Sequence, residues 1–215
     1  GWHLFEEAVQ AGVTIEKIFA LESYRDQLAA FPQTVWVSEE ILRDLADTQT
    51  PQGIVAVIQK EEVGPPDFSQ GKFLFLEDVQ DPGNVGTMIR TADAAGLTGG
   101  IVSDKSADIY SLKTLRSMQG SHFHLPIYRM PVATFIEEAK KSNLPILATT
   151  LSRDSKDYRE LSPLENFALV MGNEGQGISS VMAESADQLV HIGMKGRAES
   201  LNVAVAAGIL MFYFS

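Results

Sequence analysis

The sequence contains no cysteine among its 215 residues. Disulfide bonds, thiolate nucleophiles and cysteine-ligated zinc are therefore excluded, and the chain is compatible with a reducing compartment. Long hydrophobic runs are also missing, because the longest, Val203–Phe214, is shorter than the roughly 20 residues that a membrane helix needs. No basic-then-apolar secretion signal follows Gly1. These absences predict a cytoplasmic protein without a membrane partner.

Basic residues are scarce, since 17 Lys and Arg stand against 28 Asp and Glu, for a formal net charge of −11. This balance argues against a surface that binds polyanions everywhere, because phosphate contacts are made by clustered Lys and Arg. Residues 1–62 carry 4 basic and 11 acidic residues, and the remainder carries 13 and 17. A local basic patch is therefore expected only in the C-terminal part.

The order of apolar segments predicts two α/β domains. Residues 1–62 alternate short helical and strand patterns, and residues 63–71 have the charged, Pro- and Gly-containing composition of a linker. In residues 72–215, continuous apolar strands alternate with helices, which predicts a parallel sheet with helices on both faces. The chain starts inside its first helical pattern, so we expect a preceding N-terminal arm.

Periodicity also places individual elements in the second domain. A further helix should begin near Ser179, and the last one should follow Ser200 as its N-cap, with Asn202 at the second helical position. The other predicted elements are strands at 73–76, 100–103, 123–128, 146–149 and 167–170, and helices at 85–95, 112–118 and 132–140.

The last helix is apolar on nearly every side, whereas a surface helix is apolar on one. One side can pack on the sheet. The other would expose large apolar residues such as Ile209 and Phe212, which is an aggregation hazard. We therefore predict a homodimer through this helix, with burial wholly inside the chain as the alternative.

Three polar or glycine-rich blocks at the edges of apolar segments predict a site. In the first, Asn84–Ala92, a turn precedes Asn84 as a candidate helix cap, and Gly86 allows another backbone to approach closely. Arg90 is either a solvated helical residue or an anion clamp, because a guanidinium offers a planar fork of donors to phosphate.

The second block, Met171–Gly177, follows an apolar strand. Glycines at that end of a strand let backbone amides approach a ligand. A tight turn explains the glycines but not Asn173 and Glu174 beside them. The block matches neither a Walker loop nor Gly-x-Gly-x-x-Gly, and its acidic residue disfavours nucleoside triphosphates.

The third block, Ser200–Ala206, opens the last helix. Capping accounts for Ser200. It does not account for Asn202, which is a weak helix former and whose amide could hold a ligand or a substrate hydroxyl.

Other chemistries find little support in the sequence. His122 and His124 are spaced to share one face of a strand, but no carboxylate lies at a supporting distance, so we predict no metal. Asp78 and Asp81 could form a carboxylate pair, although turn and capping roles explain them equally well. No Ser-His-Asp pattern or nucleophile elbow is present.

In this order, the three blocks resemble the motifs of the SpoU family of RNA 2′-O-ribose methyltransferases, within the SPOUT superfamily. The resemblance extends from Lys72 to Phe214 and includes the intervening segment Lys113–Ser121. The N-terminal unit, which ends in Pro51–Val57, is similar to the small substrate-binding domain often fused in front of that family's catalytic domain.

The resemblance implies a trefoil-knotted domain that binds S-adenosylmethionine and RNA and needs no metal. It assigns catalysis to Arg90, Asn84, Glu174, Ser200 and Asn202, and contact with RNA to Arg90, Lys113 and Arg116. Cofactor binding is assigned to Thr149, Leu151, Gly172, Asn173, Glu174, Gly175, Ile192, Met194, Ser200, Leu201 and Asn202.

Two details qualify these assignments. A guanidinium stays protonated at neutral pH and is a poor general base, so Arg90 is favoured as a phosphate clamp that aligns the hydroxyl, acting on the methyl donor of the other subunit. Family members commonly have Ile-Pro-Met where this chain has Ile192–Met194, and Gly193 should loosen that loop.

The predicted function is methylation of ribose 2′-hydroxyls in ribosomal RNA. Transfer RNA is the alternative substrate. A non-catalytic RNA-binding or ribosome-associated module with the same fold, and a nucleotide-binding α/β enzyme, remain the alternatives from other classes.

Overall fold

A computed structural model describes residues 1–46, 48, 50–60 and 62–215. The chain divides into two compact units, Gly1–Glu62 and Val63–Ser215. Within the described residues, no helix is long and apolar enough to span a membrane. All three motif blocks lie in the second unit.

The first unit is a small sheet with two helices. Its helices are α1 (Trp2–Gln10) and α2 (Glu39–Ala46), and its strands are β1 (Ile15–Ala20), β2 (Thr34–Trp36) and β3 (Ile54–Ile58). The central strand β1 pairs with β2 in parallel and with β3 antiparallel. Its main cluster of buried apolar residues is Phe5, Ile18, Ala20, Leu28 and Ile54.

The second unit is built on a seven-stranded sheet. The strands are β4 (Lys72–Leu76), β5 (Gly99–Val102), β6 (Ile127–Arg129), β7 (Ile146–Thr149), β8 (Lys156–Asp157), β9 (Phe167–Met171) and β10 (Gln188–His191). They are arranged in the order β6-β5-β4-β9-β7-β10-β8, and every neighbouring pair is parallel. The predicted parallel sheet is thereby confirmed.

Helices cover both faces of this sheet: α3 (Pro82–Ala94), α4 (Leu112–Met118), α5 (Val132–Lys141), α6 (Ser180–Ser185) and α7 (Val203–Phe214). Successive side chains of a strand point to opposite faces. Accordingly, Leu74 and Leu76 belong to the core cluster that contains residues of α3 and α7, whereas Phe73 and Phe75 belong to the one that contains residues of α5 and α6. The trefoil knot implied by the resemblance stays a prediction.

The segment predicted as a linker carries one large core residue. The ring of Phe68 is buried, with its centroid 5.0 Å from that of Phe73 and 5.8 Å from that of Phe135. The end of this segment therefore packs as part of the second unit.

The prediction of a strand at 123–128 is wrong for most of these residues. Gly120 has a φ of 95° and leads into a 3-10 helix, Ser121–Phe123, so that only Ile127–Arg129 is extended. His122 and His124 consequently do not share a strand face. The two side chains also have different surroundings. Burial, followed by the neighbouring His124, lowers the pKa of His122 to about 4. The ring of His124 instead faces Asp93, with Nδ1 3.3 Å from Oδ2. No group of potential metal ligands occurs among the described residues.

Candidate active site

A cavity of about 820 Å³ opens at the carboxyl ends of β7, β9 and β10. This is the edge at which open parallel sheets bind ligands. Its walls are the ends of these strands and the segments that directly follow them, together with the stretch before α7 and residues Val203, Ala206 and Leu210 of α7. All eleven residues assigned to the cofactor by resemblance line it: Thr149, Leu151, Gly172, Asn173, Glu174, Gly175, Ile192, Met194, Ser200, Leu201 and Asn202.

The loop of the second block is closed on itself. The backbone N–H of Asn173 donates to the Gly177 carbonyl at 3.0 Å, and the return bond is 2.9 Å. The Asn173 side-chain oxygen accepts from the N–H groups of Gly175 and Gln176 at 2.9 and 3.0 Å. A Cβ at Gly172 would lie 2.3 Å from the Gly177 carbonyl carbon, so this close approach requires glycine. The cavity wall is therefore set by local geometry before any ligand binds.

Glu174 ties this loop to the first block. Its Oε1 accepts from the Asp81 N–H and the Asn84 side-chain amide, and its Oε2 accepts from the Gln80 N–H. Each of the three distances is 3.2 Å. Burial works to raise the pKa of Glu174, but hydrogen bonds from its own backbone, Asn84, Asp81 and Gln80 together outweigh it, and the net pKa lies below the ordinary value. Glu174 is thus a carboxylate at neutral pH.

Asn202 ties the third block to the first. Its side-chain amide donates to Oδ1 of Asn84 at 3.1 Å, and its own Oδ1 accepts from the N–H groups of Ala204 and Val205 at 2.9 and 3.3 Å. Asn202 is therefore the N-cap of α7. The prediction that Ser200 caps this helix, with Asn202 inside it, is wrong, because the chain stays irregular through residue 201.

The cap of the first-block helix also differs from the prediction. Asp81, not Asn84, caps α3, since its Oδ1 accepts from the Asn84 N–H at 2.8 Å. Oδ2 of Asp81 lies 2.9 Å from Nζ of Lys113. The Lys113 ammonium, followed by the Asn84 N–H, holds the pKa of Asp81 below its usual range. This arrangement leaves the Asn84 side chain available to bridge Glu174 and Asn202.

Asp78 has a structural role separate from that of Asp81. It adopts a left-handed φ of 55°, and its Oδ1 accepts from the buried Ser103 hydroxyl at 2.6 Å. The same hydroxyl accepts from the Asp78 N–H at 2.8 Å, and the Asp78 carbonyl accepts from the Asn173 amide at 2.8 Å. Asp78 therefore anchors the turn after β4 and binds the second-block loop through Asn173, which favours its turn role over the carboxylate pair.

The basic residues assigned to RNA lie outside the cavity. Arg90 is exposed on α3, and no hydrogen bond or ion pair joins its guanidinium to another residue that the structure describes. Helix α4, which carries Lys113 and Arg116, packs closely on α3 at Gly86. A Cβ there would lie 2.5 Å from Cβ of Ser117, which confirms that this glycine serves a close approach.

Sequence reasoning missed His191, next to the assigned Ile192, and the strand that carries it. His191 lines the cavity at the end of β10, and its Nδ1 lies 2.9 Å from the Ser155 hydroxyl. Neither β8 nor β10 was predicted. The available signal was the short apolar pair Leu189–Val190, which is too brief to distinguish a strand from a loop.

Comparison with known proteins identifies the family. The model for the SpoU rRNA Methylase family matches residues 71–212. This chain belongs to that family. Residues 1–56 match the MRM3-like substrate binding domain, in agreement with the resemblance drawn from the N-terminal unit.

Several relatives are similar over nearly the whole chain. The 23S rRNA (guanosine(2553)-2′-O)-methyltransferase RlmP of Bacillus subtilis is 40% identical over 99% of this chain and 86% of that relative. The AdoMet-bound rRNA methyltransferase from Sinorhizobium meliloti superposes with a TM-score of 0.87 at 33% identity, covering 99% of this chain and 84% of the other. AviRb from Streptomyces viridochromogenes in complex with AdoMet gives 0.83 at 29%, with 99% and 86% covered.

Proposed function

We propose that this protein transfers a methyl group from S-adenosylmethionine to the ribose 2′-hydroxyl of a nucleotide in ribosomal RNA, and that 23S rRNA is the substrate class. One observation carries the proposal. Asn84 of the first block joins Glu174 on one side and Asn202 on the other, and these two residues of the second and third blocks line one cavity. The similarity to RlmP supports ribosomal over transfer RNA.

The cavity suits the methyl donor. Its volume lies within the range of small-molecule sites, roughly 300–1,000 Å³. Leu201, Leu210 and Ile178 supply apolar surface for a purine, and the ionised Glu174 favours a ligand that carries positive charge. When bound there, S-adenosylmethionine supplies an electrophilic methyl group on a sulfonium.

Arg90 acts on the RNA. Its exposed guanidinium is suited to hold a phosphate next to the target ribose through two parallel hydrogen bonds, which aligns the 2′-hydroxyl. With the donor bound, the 2′-oxygen so aligned would take its methyl group as the carbon–sulfur bond breaks, the hydroxyl proton would pass to water, and S-adenosylhomocysteine would be the second product. Alignment of the reacting atoms supplies much of the rate, so no strong base is required.

The active unit is a homodimer through α7. Val205, Ile209 and Phe212 are 52%, 37% and 61% exposed and recur at i, i+4 and i+7. This spacing puts them on one side of the helix, where an apolar stripe favours a second copy of the chain. Arg90 does not line the cavity of its own chain, which favours its action at the cofactor of the partner.

Methyl transfer is the direct test. The wild-type protein is incubated with S-adenosylmethionine that carries a tritiated methyl group and, in separate reactions, with unmodified ribosomal RNA or transfer RNA. The labelled nucleosides are then identified. Label on a 2′-O-methyl nucleoside of rRNA supports the proposal. Label on tRNA alone changes the substrate, whereas cofactor binding without label on either RNA favours the non-catalytic module.

The Arg90→Ala variant separates the role of Arg90 from cofactor binding. Transfer should fall at least about a hundredfold, since a charge-assisted pair is lost where the hydroxyl is aligned, while the Kd for S-adenosylmethionine stays the same. Arg90→Lys, which keeps the charge but not the planar fork, should retain part of the activity. Loss of cofactor binding in Arg90→Ala would remove Arg90 from the RNA side of the site.

Mixed dimers test the shared site. Arg90→Ala and Asn202→Ala should each be inactive alone, the second through loss of cofactor. A heterodimer of the two restores one complete site only if Arg90 of one subunit works with the cofactor of the other. Mixtures that stay inactive after confirmed subunit exchange would place both groups in one chain.

A further inference from the structure

Gly193 has a hydrogen-bond partner outside the cavity. Its backbone N–H donates to Oδ2 of Asp157 at 3.2 Å, whereas the residues on either side, Ile192 and Met194, line the cavity. The Gly193 N–H is thus bonded to a residue that does not line the cavity, while its two neighbours do. The prediction that Gly193 loosens this loop does not take this bond into account.

Asp157 is itself firmly placed. It lies in β8 and pairs with His191, the last residue of β10, in the register of the sheet. Its Oδ1 accepts from Nε of Arg159 and its Oδ2 from Nη2, both at 2.7 Å. The side-chain hydrogen bonds of Arg159 hold the pKa of Asp157 well below its usual range. The carboxylate therefore presents a fixed, charged acceptor to Gly193.

Asp157 also lies close to the position of a side chain at residue 193. A Cβ at Gly193 would lie 2.6 Å from Oδ2 of Asp157, so a side chain there would require the carboxylate to move against its bonds to Arg159. The φ of Gly193 lies outside the left-handed region, so its backbone conformation alone does not require glycine. A proline there would also lack the N–H that Asp157 accepts.

We propose that Asp157 is a positioning residue for the methyl donor, which holds the Ile192–Met194 loop through the Gly193 N–H. This inference rests on the proposed function, because the cavity is taken to bind S-adenosylmethionine. Asp157 does not line the cavity. It acts by fixing the backbone of two residues that do face the cavity.

Calorimetric titration of S-adenosylmethionine tests this pair. Asp157→Ala should raise the Kd about tenfold, because a charge-assisted hydrogen bond that orders the loop is lost. Gly193→Pro should also raise it, through the lost N–H and the contact with Asp157. The double variant should bind more tightly than either single variant, because removal of the carboxylate makes room for the ring, and the ring then restricts the loop.

Glu160→Ala removes a neighbouring exposed carboxylate and should leave the Kd unchanged. Equal binding by Asp157→Ala and the wild type overturns the inference, and so do additive effects in the double variant.

Hydrogen exchange at the Gly193 amide of the wild type gives a measurement that needs no variant. Protection is expected, and unprotected exchange contradicts the hydrogen bond. If the wild type itself does not bind S-adenosylmethionine, the proposed function is overturned together with this inference. If the wild type binds and Asp157→Ala binds equally well, only this inference is overturned.

Discussion

The side-chain amide of Asn202 donates to the side-chain oxygen of Asn84 over 3.1 Å, between residues 118 positions apart. Asn84 in turn donates to Glu174. Each amide uses both of its ends: Asn202 caps α7 with its oxygen and holds Asn84 with its nitrogen. The site therefore depends on the orientation of two amides as much as on charge.

The cap and bridge functions of Asn202 can be separated. Asn202→Ala should cost about 1 kcal/mol of stability through the lost cap, which is a fall in Tm of roughly 2–4 °C, and should weaken cofactor binding. Asn202→Ser keeps a capping oxygen but not the donor to Asn84. It should recover the Tm and not the binding. Recovery of both by serine would show that the Asn84 bridge is unimportant.

The hydrogen bonds of Glu174 predict a pH-dependent contribution to stability. Because its folded-state pKa is lowered, the contribution is present above the ordinary glutamate value of roughly 4.3 and is lost as pH falls through the folded-state value. The Tm of Glu174→Gln should lie below that of the wild type at pH 7, and the two should converge as the pH falls below the folded-state pKa. Scanning calorimetry across pH measures the gap, with Glu160→Gln as a surface control. A gap that widens in acid would give the opposite sign to the pKa shift.

Replacement by alanine should have opposite effects on stability at Gly86, which lies within α3, and at Gly208, which faces α3 from α7. At Gly86 the new Cβ would lie 2.6 Å from the Thr114 carbonyl oxygen, so α4 must move away from α3, at a cost of about 1–3 kcal/mol. At Gly208 in α7 it would lie 3.6 Å from Cγ2 of Thr91, an ordinary contact. Gly208→Ala should leave the Tm unchanged or raise it, since alanine is the better helix former. Chemical denaturation compares the two, and equal losses would contradict the close approach at Gly86.

The exposed face of α7 predicts the response of the oligomer. Phe212→Asp should convert dimers to monomers, because it places a charge at the most exposed residue of the apolar stripe of Val205, Ile209 and Phe212. Val181→Asp, on α6, changes a residue of similar exposure, 56%, and should not alter the mass. Light scattering after size exclusion reports both. A wild-type monomer at micromolar concentration would remove the proposed interface, and with it the shared site.

The sheet was largely predictable, because strands such as β9 are buried on both faces and appear as continuous apolar runs. The caps were not. Asp81 and Asn84 have similar intrinsic capping preferences, and the choice between them depends on Lys113 and Glu174, which are distant in sequence. Strand β8 contains only Lys156 and Asp157, and its extended state comes from pairing with β10. Local sequence cannot supply that partner.

The second and third blocks line the cavity, Asn84 of the first block joins them, and the last wall comes from residues just before and within α7. A chain interrupted anywhere upstream of Asn202 lacks both the amide that holds Asn84 and the apolar side chain of Leu210. Such a fragment should capture no methyl donor, even if β4 to β10 assemble. During synthesis, affinity for S-adenosylmethionine should therefore be acquired abruptly, when α7 docks. A truncated chain in the same cell should not methylate ribosomal RNA.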